Sequence, residues 1–223
     1  MRIRIREITQ SVIEDQIKYY GLKLAVRYRL KPGGAGIQLY DAEDRPLEGH
    51  EAYWDGSLYV GAARPRYDIY WPDPVTSLDG CPRVVTGNFD CRYNLLESLA
   101  GAPLFVGGNF YCQVNRLTSL EGGPKLVGGH YNCQGVGLES LRGAPEHIGG
   151  HFDCSRNRLK DLRGGPRVVG GEYDCSYNRP LTSLAGCPDL VGWELVCEGY
   201  ILPKDYVLPE DLRYRVRLDD PAA

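Results

Sequence analysis

"GGHFDCSRNRLKDLRGGP", residues 149–166, sets a histidine, an aspartate and a cysteine within four positions, as a metal site or a catalytic site would. The same frame recurs on both sides. Residues 128–145 read "GGHYNCQGVGLESLRGAP", and residues 170–188 read "GGEYDCSYNRPLTSLAGCP". Cys91, Cys112, Cys133, Cys154 and Cys175 fall 21 residues apart, and Cys197 follows after 22, the extra residue being Pro180. Six copies of L-x-S-L-x-G-x-P-x-x-V-G-G-x-(F/Y)-x-C-x-x-N-x run from Val75 to Tyr200. A fixed period of this length marks stacked supersecondary units, so residues 75–200 are read as a mainly β solenoid of six coils.

Each column of the repeat has a physical meaning. Leucines recur at two positions, represented by Leu159 and Leu162; a valine column contains Val169, and an aromatic column contains Phe152. Aromatic and cysteine stand two apart, so on an extended strand they share one face and point inward with the leucines. A buried side chain of this kind is worth roughly 1.5 to 3 kcal/mol, but only when the next coil covers it. The Gly-Gly pairs at 107–108, 128–129, 149–150 and 170–171 are read as corners that exploit glycine's conformational freedom. Pro82, Pro103, Pro124, Pro145, Pro166 and Pro188 fix an extended segment opposite them.

The pattern resembles the leucine-rich repeats. Phe152-x-Cys154-x-x-Asn157-x-Leu159 is similar to the second half of that family's LxxLxLxxNxL signature, with cysteine at a leucine position. "LTSLEGGP" and "LTSLAGCP" look like the LTxLPxLP segment of short repeats in bacterial secreted effectors, and similar repeats occur in phage-encoded proteins. The resemblance implies a curved solenoid with a parallel sheet on its concave face, and an asparagine column that hydrogen-bonds neighbouring backbone. Asn94, Asn115, Asn157 and Asn178 keep that column; Val136 and Tyr200 do not, which makes "CQGVGL" a weak or specialised rung. A β-helix is the structural alternative for coils this short. The ubiquitin-ligase domain attached to some effector repeats has no room here, and that activity is not carried over.

By this register the opening cysteine is structural. Six inward thiols serve as small apolar side chains, inter-rung disulfides have poor geometry, and eight cysteines explained by packing suggest a reducing compartment. Three columns point outward instead. One is Asn88, Asn109, His130, His151, Glu172 and Glu194; the second is Asp90, Tyr111, Asn132, Asp153, Asp174 and Val196; the third runs from Arg92 through Gln113, Gln134, Ser155 and Ser176 to Glu198. His130, His151 and Glu172 then lie side by side, a set that could hold a divalent metal. No CxxC-like ligand cluster, matched nucleophile and base, or phosphate-binding glycine loop accompanies them. The expected role is therefore a non-enzymatic recognition face with no cofactor, and metal or small-ligand binding at the histidines is the alternative. Asp153, Glu172, Asp174, Glu194 and Glu198 stand against only Arg156, so a protein partner with a basic surface is expected. Tyr93, Tyr111, Asn132, Tyr177 and Trp193 complete the candidate contact set, aromatics being common interface anchors. Arg116, Arg158 and Arg179 form a basic column at the strand exit, ordinarily a solvated edge.

Composition bounds the rest. A net charge of -3 gives no electrostatic reason to expect nucleic acid or an anionic membrane, and no apolar run reaches a membrane span. The chain is expected to be cytoplasmic in the producing or infected cell, with specialised secretion open. Residues 1–74 are read as a small α+β cap: "MRIRIRE" as a strand, "SVIEDQIKYYG" as a helix with a Ser11/Glu14 capping box, and "LKLAVRYRL" with "GIQLYDA" as a hairpin. "DIYWPDPV" is read as a degenerate coil with Asp73 at the asparagine position. Residues 201–223 are read as a final coil whose arginines blunt the edge strand.

Overall fold

The repeat builds a β-solenoid. The structure, a computed structural model, describes residues 5–61, 74–199 and 216–218. Asp73, Tyr200 and most of "DIYWPDPV" and "LPEDLRYRVRL" lie outside the described residues. Each coil contributes one short strand to each of two eight-stranded parallel sheets. The valine sheet runs Lys23–Ala25, Ala52–Trp54, Val84–Val85, Phe105–Val106, Leu126–Val127, His147–Ile148, Val168–Val169, Leu190–Val191. The aromatic sheet runs Leu58–Tyr59, Phe89–Asp90, Phe110–Tyr111, Tyr131–Asn132, Phe152–Asp153, Tyr173–Asp174, Leu195–Cys197, Val216–Leu218. Two sheets replace the single concave-face sheet that the leucine-rich resemblance implies; this is the β-helix alternative. With 21 residues per coil, valine and aromatic positions sit only four apart, and both pair with their counterparts in the next coil.

Register follows the repeat without slippage. Phe110 faces Phe89 and Tyr131; Phe152 faces Tyr131 and Tyr173. Tyr173 pairs with Leu195, so Pro180 is absorbed in the turn closed by the Leu181 N–H on Asn178 O. Leucine, valine, aromatic and cysteine columns are all buried in one continuous core. Phe89, Phe110 and Tyr131 stack at 5.5 and 4.8 Å, and Phe152 and Tyr173 continue the column edge-on.

The asparagine column stitches coils as expected. Asn115 Nδ2 donates to Cys112 O in its own coil and Cys91 O in the one before, while its Oδ1 accepts Leu96 N–H. Asn178 repeats this with Cys175, Cys154 and Leu159. Val136 has no amide to send back. Its own turn is held from the following coil, because Asn157 Oδ1 accepts the N–H groups of Val136, Gly137 and Leu138 together.

The Gly-Gly corners have a different cause from the one expected: none of these glycines has a positive φ. A Cβ on Gly149 would stand 2.1 Å from Gly128 O, and one on Gly170 2.3 Å from Gly149 O. The first glycine of each pair lets one backbone ride on another. In three pairs a Cβ on the second glycine would meet the side chain of the preceding outward column: Asn88 Oδ1 at 2.4 Å for Gly108, Asn109 Oδ1 at 2.2 Å for Gly129 and His130 Nδ1 at 2.6 Å for Gly150.

The amino-terminal residues cover one end and one side. The hairpin Arg27–Leu30 with Ile37–Tyr40 forms as expected, but Lys23–Ala25 leaves it to pair in parallel with Ala52–Trp54. Ile37, Leu39 and Leu47 join Val75 and Leu78 in the core, and Ile37 N–H donates to Asp79 O. The helix spans Ile5–Tyr20, so residues 5–7 are helical rather than extended and Ser11 lies inside the helix, not at its cap. Burial decides this: Ile13 and Ile17, one turn apart, pack on Val84, Tyr53 and Phe105 of the valine sheet's outer face. Gly21, at φ 58°, ends the helix as expected. Among the described residues no helix is long and apolar enough to cross a membrane.

Inside the coils, two columns vary together. Where the aromatic is tyrosine, the small residue eight positions before it is glycine: Gly123 with Tyr131, Gly165 with Tyr173. Where it is phenylalanine that residue is Cys81, Ala102 or Ala144, and beside Leu195 it is Cys187. A Cβ on Gly165 would lie 2.9 Å from the Tyr173 hydroxyl. Gly165→Ala is therefore expected to cost about 1–3 kcal/mol through overpacking. Adding Tyr173→Phe should recover part of that loss, and denaturant titration of the double-mutant cycle measures the coupling. Additivity within about 0.5 kcal/mol would break the proposed size match.

No disulfide forms among the described residues, and all eight cysteines but Cys187 are buried. Burial raises the thiol pKa of Cys91, Cys133, Cys154 and Cys175 well above its ordinary value, which suppresses the reactive thiolate. In native protein at mildly alkaline pH, iodoacetamide should label Cys187 first and the seven buried thiols only after unfolding. Rapid native labelling of the column, read by mass spectrometry, would contradict the stacking.

Candidate functional site

The outer face of the aromatic sheet gathers most of the expected contact residues. Tyr111, His130, Asn132, His151, Asp153, Glu172 and Asp174 line one shallow depression of about 340 Å³. Strand alternation places them there, since each flanks an inward aromatic or cysteine.

The histidines have a structural task. Asn88 N–H donates to Ser57 Oγ, Asn109 N–H to Asn88 Oδ1 and His130 N–H to Asn109 Oδ1, at 3.1, 2.8 and 2.8 Å. His151 N–H then donates to His130 Nδ1 at 2.9 Å, and Glu172 N–H to His151 Nδ1 at 3.2 Å. Asparagine Oδ1 and histidine Nδ1 sit at the same place along the side chain, so either accepts the next coil's amide. An Nδ1 that accepts is unprotonated, which puts the neutral ring's proton on Nε2. Both Nδ1 atoms are thereby withdrawn from metal ligation. Among the described residues no three His, Cys, Asp or Glu side chains are grouped to hold a metal ion. The rings also pack together: His130 lies tilted against His151 at 4.6 Å, and His151 edge-on against Trp193 at 4.7 Å. Trp193 occupies the second-glycine position of its coil and is 65% exposed.

The second column carries the charge. Asp153 Oδ1 accepts the Ser155 N–H and hydroxyl at 3.0 and 2.7 Å, and its Oδ2 accepts from Asn132 and, at the limit of bonding distance, Gln134. Asp174, its register partner, accepts Ser176 N–H. No cation of the described residues pairs with Asp153, Asp174 or Glu172. Burial, followed by the adjacent Asp174 carboxylate and opposed by the Ser155 and Asn132 hydrogen bonds, holds the Asp153 carboxyl above its ordinary range.

Other expected members are placed elsewhere or neutralised. Asp90 sits in the same column but is only 1% exposed and is chelated by Arg92 through Nε and Nη2. Ser155, Ser176 and Val196 are buried rather than solvent-facing. Glu194 and Glu198 do not face an unopposed surface: Arg217, from the last coil, approaches them at 3.4 and 3.3 Å. The acidic surplus expected across the later half thus contracts to Asp153, Glu172 and Asp174. Tyr93 and Tyr177 stand on the corner beyond the sheet, where Tyr177 donates to Glu198 at 3.3 Å and lies under the Arg156 guanidinium. Sequence reading assigned the arginines of "YRVRL" only to blunting the edge strand and missed that Arg217, which falls in the Val196 column, opposes Glu194 and Glu198.

Compared with protein-family models, curated proteins and solved structures, the chain matches none.

Because folding raises the Asp153 pKa, the folded state holds that proton more tightly than the unfolded state, and stability falls as pH rises through the folded value. Asp153→Asn should accordingly stabilise the protein at neutral pH, and the gain should fade below the ordinary carboxylate value of 3.8. Thermal melts across pH check this; a constant difference would mean that the carboxylate's charge is not what costs stability.

Proposed function

We propose that the protein is a non-enzymatic binding protein that captures a basic partner protein on the outer face of the aromatic sheet. The single observation behind this is the Asp153–Asp174 pair: two neighbouring, half-buried carboxylates with no cation opposite them among the described residues. A lysine or arginine entering the depression supplies the missing charge, and Tyr111, His151 and Trp193 offer flat surfaces for its stem. The rigid ladder beneath fixes these groups before binding, which reduces the ordering cost of association. The histidine alternative has less in its favour, since both Nδ1 atoms already accept backbone amides.

The repeat type supports a role as a bacterial effector or phage-encoded inhibitor of a host or defence protein. Its segments resemble short leucine-rich repeats of such proteins, and free buried thiols suit a reducing cytoplasm.

A fluorescein-labelled Arg-Gly repeat peptide serves as a probe. Wild-type protein should bind it in low salt, and Asp153→Asn/Asp174→Asn should weaken binding at least about tenfold in anisotropy titrations. Equal binding by both proteins would remove the acidic pair from the recognition surface.

A further inference from the structure

Beyond the acidic depression, the corner after each aromatic strand presents a second surface. The residue before each asparagine position there is left-handed: Tyr93, Val114, Gly135, Arg156, Tyr177 and Gly199 have φ of 58, 56, 64, 57, 56 and 73°. Gly135 and Gly199 are what this backbone favours. The other four copies hold side chains that disfavour it, valine most of all. Burial does not compensate, because Tyr93, Val114 and Tyr177 are 47, 54 and 46% exposed. Strain kept at exposed positions points toward use rather than folding.

Two residues further on, Arg116, Arg158 and Arg179 recur on the rungs of the same ridge, with Lys160 beside them. Backbone hydrogen bonds fix their spacing: Arg116 N–H donates to Leu96 O, Arg158 N–H to Leu138 O, and Arg156 N–H to Ser176 O. Adjacent rungs in such a stack stand ~4.8 Å apart. Other arginines of the coils are engaged elsewhere: Arg92 pairs with Asp90, Arg142 with Glu121, Arg163 with Asp161 and Arg167 with Asp189, and Arg83 lies 4.0 Å over the Tyr20 ring. Arg116, Arg156, Arg158, Arg179 and Lys160 are exposed and make no ion pair with any described residue; Glu97 and Glu139, on the next column, pair with none of them. Arg156 lies instead 5.0 Å over the Tyr177 ring.

We infer that this ridge docks an acidic protein segment, whose carboxylates are taken by Arg158 and Arg179 while the segment rests on Tyr177 and Val114. Guanidinium forks accept carboxylates through two parallel hydrogen bonds, and exposed tyrosines are effective anchors. A phosphate chain fits less well. Asp153 and Asp174 precede the ridge by a few residues in their coils and repel a continuous polyanion, as does the net charge of -3. This surface is separate from the depression and calls for a partner group of opposite sign.

The test uses full-length protein and a labelled poly-glutamate peptide in anisotropy titrations at low and physiological ionic strength. Binding should weaken with salt and fall at least about tenfold in Arg158→Glu/Arg179→Glu, with the melting temperature unchanged. Tyr177→Gly should raise the melting temperature by relieving the left-handed strain while lowering affinity for the peptide, opposite movements that a purely structural residue does not produce. Asp153→Asn/Asp174→Asn, which removes two repelling carboxylates, should leave poly-glutamate binding intact or tighter, which separates failure here from failure of the acidic face. Absence of binding at low salt, or equal binding by the arginine variant, overturns the inference. Tighter binding of oligothymidylate than of the peptide overturns the choice of a protein partner.

Discussion

Everything in this molecule depends on how closely one coil's backbone lies on the next. Parallel strands must sit ~4.8 Å apart to exchange hydrogen bonds, and a coil with two sheets must keep that spacing around its corners as well. At the first glycine of the inner Gly-Gly corners no side chain fits: the space a Cβ on Gly149 would need is taken by Gly128 O. At the corner leaving it, an asparagine amide reaches down to the preceding coil's carbonyl and amide, replacing ladder bonds where the chain turns. Glycine where the backbones touch and asparagine where they part together keep the period at 21. That period in turn stacks each column on itself, buries the thiols and sets the carboxylates side by side.

This explains how much could be read before the structure was known. Inward columns are legible because burial imposes one chemistry on every copy, so Leu159, Leu162, Val169, Phe152 and Cys154 announce their side of the strand. The asparagine role came from the resemblance to leucine-rich repeats, which implied it, and the break at Val136 showed in the repeat itself. The number of sheets was not, because two residues of extended backbone at Val168–Val169 leave little trace in composition. The glycine pairs were assigned to the right place for the wrong reason: sequence shows that glycine is required, while only packing tells a dihedral requirement from a steric one. The helix start was missed because "MRIRIRE" alternates locally, and the fate of residues 5–7 is decided by where Ile13 docks, far away in sequence.

Outward columns are harder, since solvent tolerates many residues and a repeated polar residue serves structure in one column and recognition in another. The histidines illustrate the difficulty. His130 and His151 attract a metal reading by type, yet they replace Asn88 and Asn109 as acceptors in a backbone ladder, and the substitution preserves geometry rather than chemistry. Where ladder duty is met, the remainder becomes informative. Asp153 and Asp174 also accept local backbone amides, and a neutral asparagine could do so without the mutual repulsion that Asn132, in the same column, avoids. Charge in excess of the structural need is what distinguishes the recognition face from the ladder under it.

A repeat protein carries its own set of variants within one chain, and the coils can be compared as if they were separate experiments on one fold. Gly165 and Tyr173 change together, as do Gly123 and Tyr131, because one buried volume is shared between them. Their hydroxyls find no oxygen or nitrogen partner among the described residues, and the thiols of Cys112 and Cys154 are the polar groups beside them. Tyrosine brings no strong hydrogen bond to this core; it is tolerated because glycine makes room. The left-handed corner gives the converse case. Gly135 and Gly199 show that the fold is satisfied without a side chain there, so what Tyr93, Val114, Arg156 and Tyr177 add is not demanded by the stack. Where copies differ in step, packing is the constraint; where a copy departs from the least strained choice and stays exposed, the constraint lies outside the coil.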